Sequence, residues 1–157
     1  MTQEITTRSD YVDALRAGLQ RALEEGVREL WCSDVDFADW PLNEVPLIEA
    51  LTRWARPHHR LVLLAQHYDE VQRRHPRFVQ WRRTWGHLVD ARTPTELAPS
   101  DHPGVLLAGG RALELIDRVH WRARWLEQVA DVQRCREQLD AISQRSEPAF
   151  AATTLGL

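Results

Sequence analysis

Residues 27–65 read VRELWCSDVDFADWPLNEVPLIEALTRWARPHHRLVLLA. Two short apolar runs flank a segment of helical spacing, and that order decides the fold class. The first run, Val27 to Cys32, contains Val27, Leu30, Trp31 and Cys32 and is too continuous for a strand with one wet face. The second, Leu61-Val62-Leu63-Leu64-Ala65, has no polar residue, so it predicts a central strand covered on both sides. Between them Val45, Ile48, Leu51, Thr52 and Ala55 share one face of a helix over residues 44–56. Asn43 caps that helix, and Pro46 falls in its first turn, where a missing N–H is harmless. Residues 33–43 form an acidic, aromatic loop, and Pro57-His58-His59 is the turn into the second strand.

Working outward, the amino-terminal side adds one helix. It starts at Ser9 with Asp10 and Asp13 in its first turn, carries Tyr11, Leu15, Leu19, Ala22 and Leu23 inward, and ends at Gly26. On the other side, Tyr68 to Val71 reads as a helical turn. His75-Pro76 opens a helix with Phe78, Val79, Trp81, Arg82 and Trp85, and Gly86 closes it. His87 to Ala91 is a third strand, and a Pro/Thr/Ser-rich loop leads to Val105-Leu106-Leu107-Ala108. Gly109-Gly110 predicts a two-residue hairpin turn, whose central positions favour positive φ, and Ala112 to Ile116 returns. Val119, Trp121, Ala123 and Trp125 alternate with His120, Arg122 and Arg124, which suggests extended chain, with a helix as the rival reading. A last helix over 125–144 places Leu126, Val129, Val132, Leu139 and Ile142 inward. The expected fold is a single α/β domain over residues 1–145: a mixed β-sheet flanked by helices, with a C-terminal β-hairpin followed by a long helix. Residues 146–157 read as a flexible tail.

Composition bounds the chemistry. The 157 residues suffice for one self-contained core, and 43% hydrophobic with 27% charged content is globular and not disordered. All twenty basic residues are arginine. The missing lysine removes Schiff-base chemistry and the P-loop phosphate grip. Charge is uneven: four arginines face eleven acids over residues 1–50, and nine face three over 51–92, within a net charge of −3. A mildly acidic chain argues against coating DNA non-specifically, while leaving room for a local arginine patch. No apolar run is long enough to span a membrane, and the N-terminus lacks signal-peptide features. Cys32 and Cys135 lie far apart in apolar-facing positions, so the expected location is a reducing cytoplasm.

The candidate sites each have a plain structural counterpart. Asp34-Val35-Asp36 follows a buried strand, where the D-x-D of haloacid dehalogenase phosphatases holds Mg²⁺. That pattern also needs a distal basic residue, usually lysine, and a second acidic pair. The stretches Leu64 to His67 and Val89 to Ala91 supply no pair. Cys32 has Ala38 where a cysteine phosphatase needs arginine, and reads as a buried thiol. Cys135 lies between Arg134 and Arg136. No two histidines have zinc-ligand spacing on a helix. Arg73, Arg74, Arg77, Arg82 and Arg83, with Trp81 and Trp85, make one basic-aromatic stretch, but its helical spacing sends the tryptophans to the core. Trp40, Trp121 and Trp125 are the candidates for an exposed interaction patch.

At the hairpin the element order resembles one half of a phospholipase D-type domain. That superfamily's signature is H-x-K-x(4)-D-G, in which the histidine forms a phosphohistidine and the lysine holds the phosphate. The corresponding stretch here is His102-Pro103-Gly104-Val105-Leu106-Leu107-Ala108-Gly109-Gly110. His102 and Gly110 match, while Gly104 replaces the lysine and Gly109 the aspartate. His120-Trp121-Arg122 offers a second histidine with a cation two residues on, and Glu127 lies seven on. The segment 31–65 also resembles an uncharacterised protein family of Burkholderia-type genomes. The resemblance implies a phospholipase D-half-like fold whose electrostatic stabilisation of a transferred phosphate is lost.

Three functional expectations follow. The first is a non-enzymatic cytoplasmic module that takes an unknown protein partner or a second copy of itself. The second is a degenerate phospholipase D-like protein that keeps phosphate or nucleic-acid binding through His120, Arg111 and Arg122, with His102 as the catalytic candidate. The third is a small Mg²⁺-dependent phosphatase using Asp34 and Asp36. The leading reading expects no resident cofactor or metal, no membrane association, and nucleic acid as a less favoured partner.

Overall fold

The computed structural model describes residues 4–151. Helix α1 (Arg8–Glu24) leads into β1 (Glu29–Ser33), then α2 (Val45–Trp54) and β2 (Arg60–Leu64). Short helices α3 (Asp69–Arg74) and α4 (Pro76–Thr84) precede β3 (Val89–Pro94). The chain continues through β4 (Gly104–Ala108), β5 (Arg111–Asp117), β6 (Arg122–Leu126), α5 (Val129–Gln144) and β7 (Ser146–Pro148). The seven strands form one mixed sheet in the order β6-β5-β4-β1-β2-β3-β7. Strands β1, β2 and β3 are parallel neighbours, while β4 lies antiparallel on the other side of β1. Strand direction therefore reverses between β4 and β1, in the middle of the sheet.

Side-chain alternation splits the interior in two. Leu30, Cys32, Leu61, Leu63 and Leu106 join Leu15, Leu19, Leu47, Leu51 and Phe78 of the helices on one face. Trp31, Val62, Leu64, Val105 and Leu107 pack with Val132, Cys135 and Leu139 of α5 on the other. Both faces are covered, which is why β1 and β2 read as unbroken apolar runs. Gly18 belongs to the first face: a Cβ there would lie 2.7 Å from the Trp125 ring and 3.0 Å from Leu106. The glycine lets β6 approach α1.

Several boundaries differ from expectation. Thr7, not Ser9, caps α1, accepting from the Asp10 amide at 3.1 Å. Asn43 does not cap α2; its Oδ1 accepts from the Arg77 amide at 2.9 Å and so caps α4, far away in sequence. His87 lies in a 3₁₀ turn (Gly86–Leu88) before β3 begins. The hairpin turn is present, but only Gly109 has positive φ (60°), as in a II′ turn. Extended chain wins over helix at residues 122–126, and the four residues before it form a turn in which Trp121 takes a left-handed φ of 56°. Val45 and Val129, expected inward, are exposed because each begins its helix facing solvent.

The carboxyl terminus corrects another expectation. Ser146–Pro148 pairs antiparallel with β3, Ala149 donates to the Ala91 carbonyl at 2.9 Å, and Phe150 is buried against Tyr68 and Phe78. Strand pairing and aromatic burial hold these residues, although their sequence has no period. The remaining positions of the expected tail, 152–157, lie outside the described residues. Among those described, no helix is long and apolar enough to cross a membrane.

Candidate functional site

The carboxyl ends of β1 and β2 meet the amino end of β4 at the reversal in strand direction, where open α/β sheets usually place their ligands. Ser33 ends β1 opposite Val105, and His102 lies two residues before β4. The two-glycine turn fixes the hairpin register, pairing Gly104 with Leu115. This brings the β5–β6 turn, with Asp117, Arg118, His120 and Trp121, to the same end.

His102 is 5% exposed, and both of its ring nitrogens are in use. Nε2 lies 3.1 Å from the Leu64 carbonyl and 3.1 Å from Ser33 Oγ. A carbonyl only accepts, so Nε2 carries the proton. Nδ1 then accepts from the Gln66 amide at 2.9 Å, and that amide also donates to the Leu97 carbonyl at 3.1 Å. Ser33 Oγ donates onward to the Pro103 carbonyl at 2.8 Å. Burial holds the imidazole below its usual pKa, which favours this neutral, single-proton form. Its only lone pair is occupied, so the ring has no nucleophilic atom to offer a phosphate. The catalytic candidate is a brace tying β1, β2 and the loop before β4.

Asp34 and Asp36 are also committed to the fold. One Asp34 oxygen accepts from the Phe37 amide at 2.9 Å and the Asp36 amide at 3.3 Å; the other meets Arg118 at 2.9 Å. Asp36 Oδ1 accepts from the Ala38 amide at 2.9 Å. These bonds hold the buried Phe37 in its left-handed turn (φ 60°). A cation at Asp34 would have to displace an arginine and two amides. The described residues contain no cluster of three or more metal-ligating side chains, and the D-x-D is loop architecture.

Arg118, Ser33 and Gln66 were not singled out from sequence. Arg118 is the informative one. A side chain at Gly104, the position the resemblance assigns to lysine, would meet Leu115 Cβ at 3.1 Å and the Arg118 guanidinium at 3.4 Å. The adjacent turn thus brings a cation beside Gly104, where Asp34 pairs with it. Tyr11 lies nearby with its hydroxyl buried and unpartnered, and burial together with Asp34 pushes that phenol well above its usual range.

The three phosphate-binding candidates do not converge on His102. Arg111 begins β5 at the opposite end of the sheet, four strand positions or about 13 Å from the site, and pairs with Glu25 at 3.5 Å. His120 is exposed and bonded to Asp117 at 2.8 Å, a contact that lowers the Asp117 pKa. Arg122 is exposed without a salt-bridge partner among the described residues.

Of the three tryptophan candidates, Trp40 is corrected. Trp40 is 2% exposed, packed edge-on against Phe37. Trp121 leans on Tyr11 and Trp125 on Gly18, both half-buried against the core. The cysteines behave as structural thiols: burial raises Cys32 and pushes Cys135 up to about 11.

No family model matches the chain, and no curated protein does. Solved structures that share its fold include the following two. One is TrmBL2, an archaeal chromatin protein described as showing a novel mode of DNA binding, with a TM-score of 0.64 at 10% identity. The alignment covers 94% of this chain but only 54% of TrmBL2, so this chain spans about half its length. The other is NucT from Helicobacter pylori, with a TM-score of 0.59 at 7% identity, covering 95% of this chain and 99% of that one.

Proposed function

We propose that this chain is a non-enzymatic, phospholipase D-half-like module that binds nucleic acid through its phosphate backbone. The observation that carries the non-enzymatic part is His102, a buried neutral imidazole with its lone pair already accepting from Gln66. Arg118, the cation beside it, is held by Asp34. Phosphoryl transfer needs a free nucleophile and an unneutralised cation, and this site offers neither. The phospholipase D-like reading rests on element order and on the position of His102 before the hairpin.

Nucleic acid as the ligand is supported by the arginine excess over residues 51–92 and by a fold shared with a protein described as DNA-binding. Arginine suits this task because its planar fork grips phosphate bidentately. Fluorescence polarisation with labelled single-stranded and duplex oligonucleotides tests it. Affinity is expected to fall steeply as salt rises, with a log–log slope of about −2 to −3 for three phosphate contacts. Absence of binding at low salt, or hydrolysis of a phosphodiester that stops on His102→Ala, refutes the reading.

A further inference from the structure

Exposed arginines without a salt bridge among the described residues occur at both ends of the sheet, Arg122 and Arg145 at one and Arg28, Arg53 and Arg56 at the other, but at the second end two of them share a pocket. At the carboxyl end of the parallel strands, Arg8 pairs with Asp39 and Arg118 with Asp34. At the amino end, Arg60 is tied to Asp90 and Glu29, but Arg28, Arg53 and Arg56 are exposed and have no salt bridge among the described residues. Arg53 and Arg56, with His59, line a pocket of about 330 Å³ between the end of α1 and the end of α2. Glu24 is the one acid in its wall.

Hydrogen bonds and a ring stack frame this pocket. Trp54 Nε1 donates to the Val27 carbonyl at 2.7 Å, pinning the end of α2 to the chain entering β1. His59 donates from Nδ1 to the Trp54 carbonyl at 2.6 Å and stacks on the Trp54 ring at 5.0 Å, leaving Nε2 without a protein partner. His58 holds a left-handed φ of 73°, and Gly26 closes α1 at 69°. Arg28 directly follows Val27. The carboxyl end of α2 is the negative end of its dipole, which accounts for arginines gathering there but not for their lacking partners.

We infer that the nucleic acid backbone is held at this amino end, by Arg28, Arg53 and Arg56 around the Trp54–His59 pocket, and not at the hairpin end where His102 and Arg118 lie. This rests on the nucleic-acid reading above and says which surface performs it. An arginine already in an ion pair must break it to hold a phosphate, whereas an unpaired one loses only water and rotamer freedom.

The test compares the full chain with Arg53→Ala/Arg56→Ala and with the charge-matched double Arg122→Ala/Arg145→Ala, whose arginines lie at the other end of the sheet. The probe is a labelled oligonucleotide, titrated at several salt concentrations, with thermal unfolding checking that each variant folds. At about 0.1 M salt each lost contact is expected to cost about eightfold in affinity, so the Arg53/Arg56 double binds about sixtyfold more weakly. Its salt slope is expected to shrink by about 2. The Arg122/Arg145 double is expected to stay within threefold of the parent, about the spread of such measurements. If the two doubles weaken equally, or only Arg122/Arg145 does, this inference fails while nucleic-acid binding stands. If the parent chain does not bind at low salt, both fail together.

Discussion

Replacing His102 with alanine separates a brace from a catalyst. The substitution removes an acceptor from Gln66 and a donor from Leu64 and Ser33 at the junction of β1, β2 and β4. Two buried hydrogen bonds are worth about 1 kcal/mol each net. An imidazole-sized void between strand ends that cannot collapse adds about 1–2 kcal/mol. Stability in a urea or guanidinium titration is therefore expected to drop by about 3–4 kcal/mol at unchanged m-value. A pH series sharpens the test. Burial lowers the pKa of both His102 and His75 below the ordinary 6.5, so protonation favours the unfolded chain. Their contribution is complete above pH 6.5 and is lost as pH falls toward the depressed folded values. Each histidine adds a slope of up to about 1.4 kcal/mol per pH unit. The carboxylates with lowered values, Glu25, Glu44, Glu70 and Asp117, start from 4.5 or below. The window from pH 6.5 to 5 lies above these carboxylates, and the variant's slope there should be shallower than the parent's. An unchanged midpoint and an unchanged slope would refute the brace.

Two further substitutions test the packing. Phe150→Ala removes a ring stacked on Tyr68 at 5.2 Å beneath the Arg82 guanidinium at 5.7 Å. Denaturant titration should show a loss of about 2–4 kcal/mol, where a frayed tail would give almost none. Gly18→Ala gains about 1 kcal/mol of helix propensity but drives a methyl into Trp125 and Leu106, so a net loss of about 1–3 kcal/mol is expected. In a Trp125→Ala background the same change should turn neutral or stabilising, and an unaltered cost there would contradict the close approach.

The sheet's centre was legible because its cause is local in sequence. Leu61 to Ala65 can be uniformly apolar only if both faces are covered, and the Gly109-Gly110 turn set the hairpin before any contact was known. What escaped had its cause elsewhere in the chain. Ser146–Pro148 becomes a strand because β3 presents an unpaired edge, and its own residues carry no alternation. Asn43 faces the first turn of α4 because the loop after β1 folds over it, a contact across 34 residues. Trp40 is deep in the core because Phe37 turns left-handed under the grip of Asp34. Each is a tertiary contact overriding a local preference.

The site was harder to read for a different reason. A motif records which groups are present, whereas chemistry depends on which are left unsatisfied. His102, Asp34 and Asp36 are the residue types of phosphoryl and metal chemistry, but backbone groups, Gln66 and Arg118 already occupy both nitrogens of His102 and both oxygens of Asp34, and one oxygen of Asp36 holds the Ala38 amide. Buried polar groups require that filling, since leaving them bare costs about 1–3 kcal/mol apiece. Exposed arginines carry no such requirement, because water satisfies them. Arg28, Arg53 and Arg56 can therefore stay unpaired around one pocket at little cost to the fold, apart from the mutual repulsion that an anion would relieve. Along this sheet the recognisable residues are the ones the fold already engages, and a pocket that gathers two unpaired arginines lies at the end without a motif.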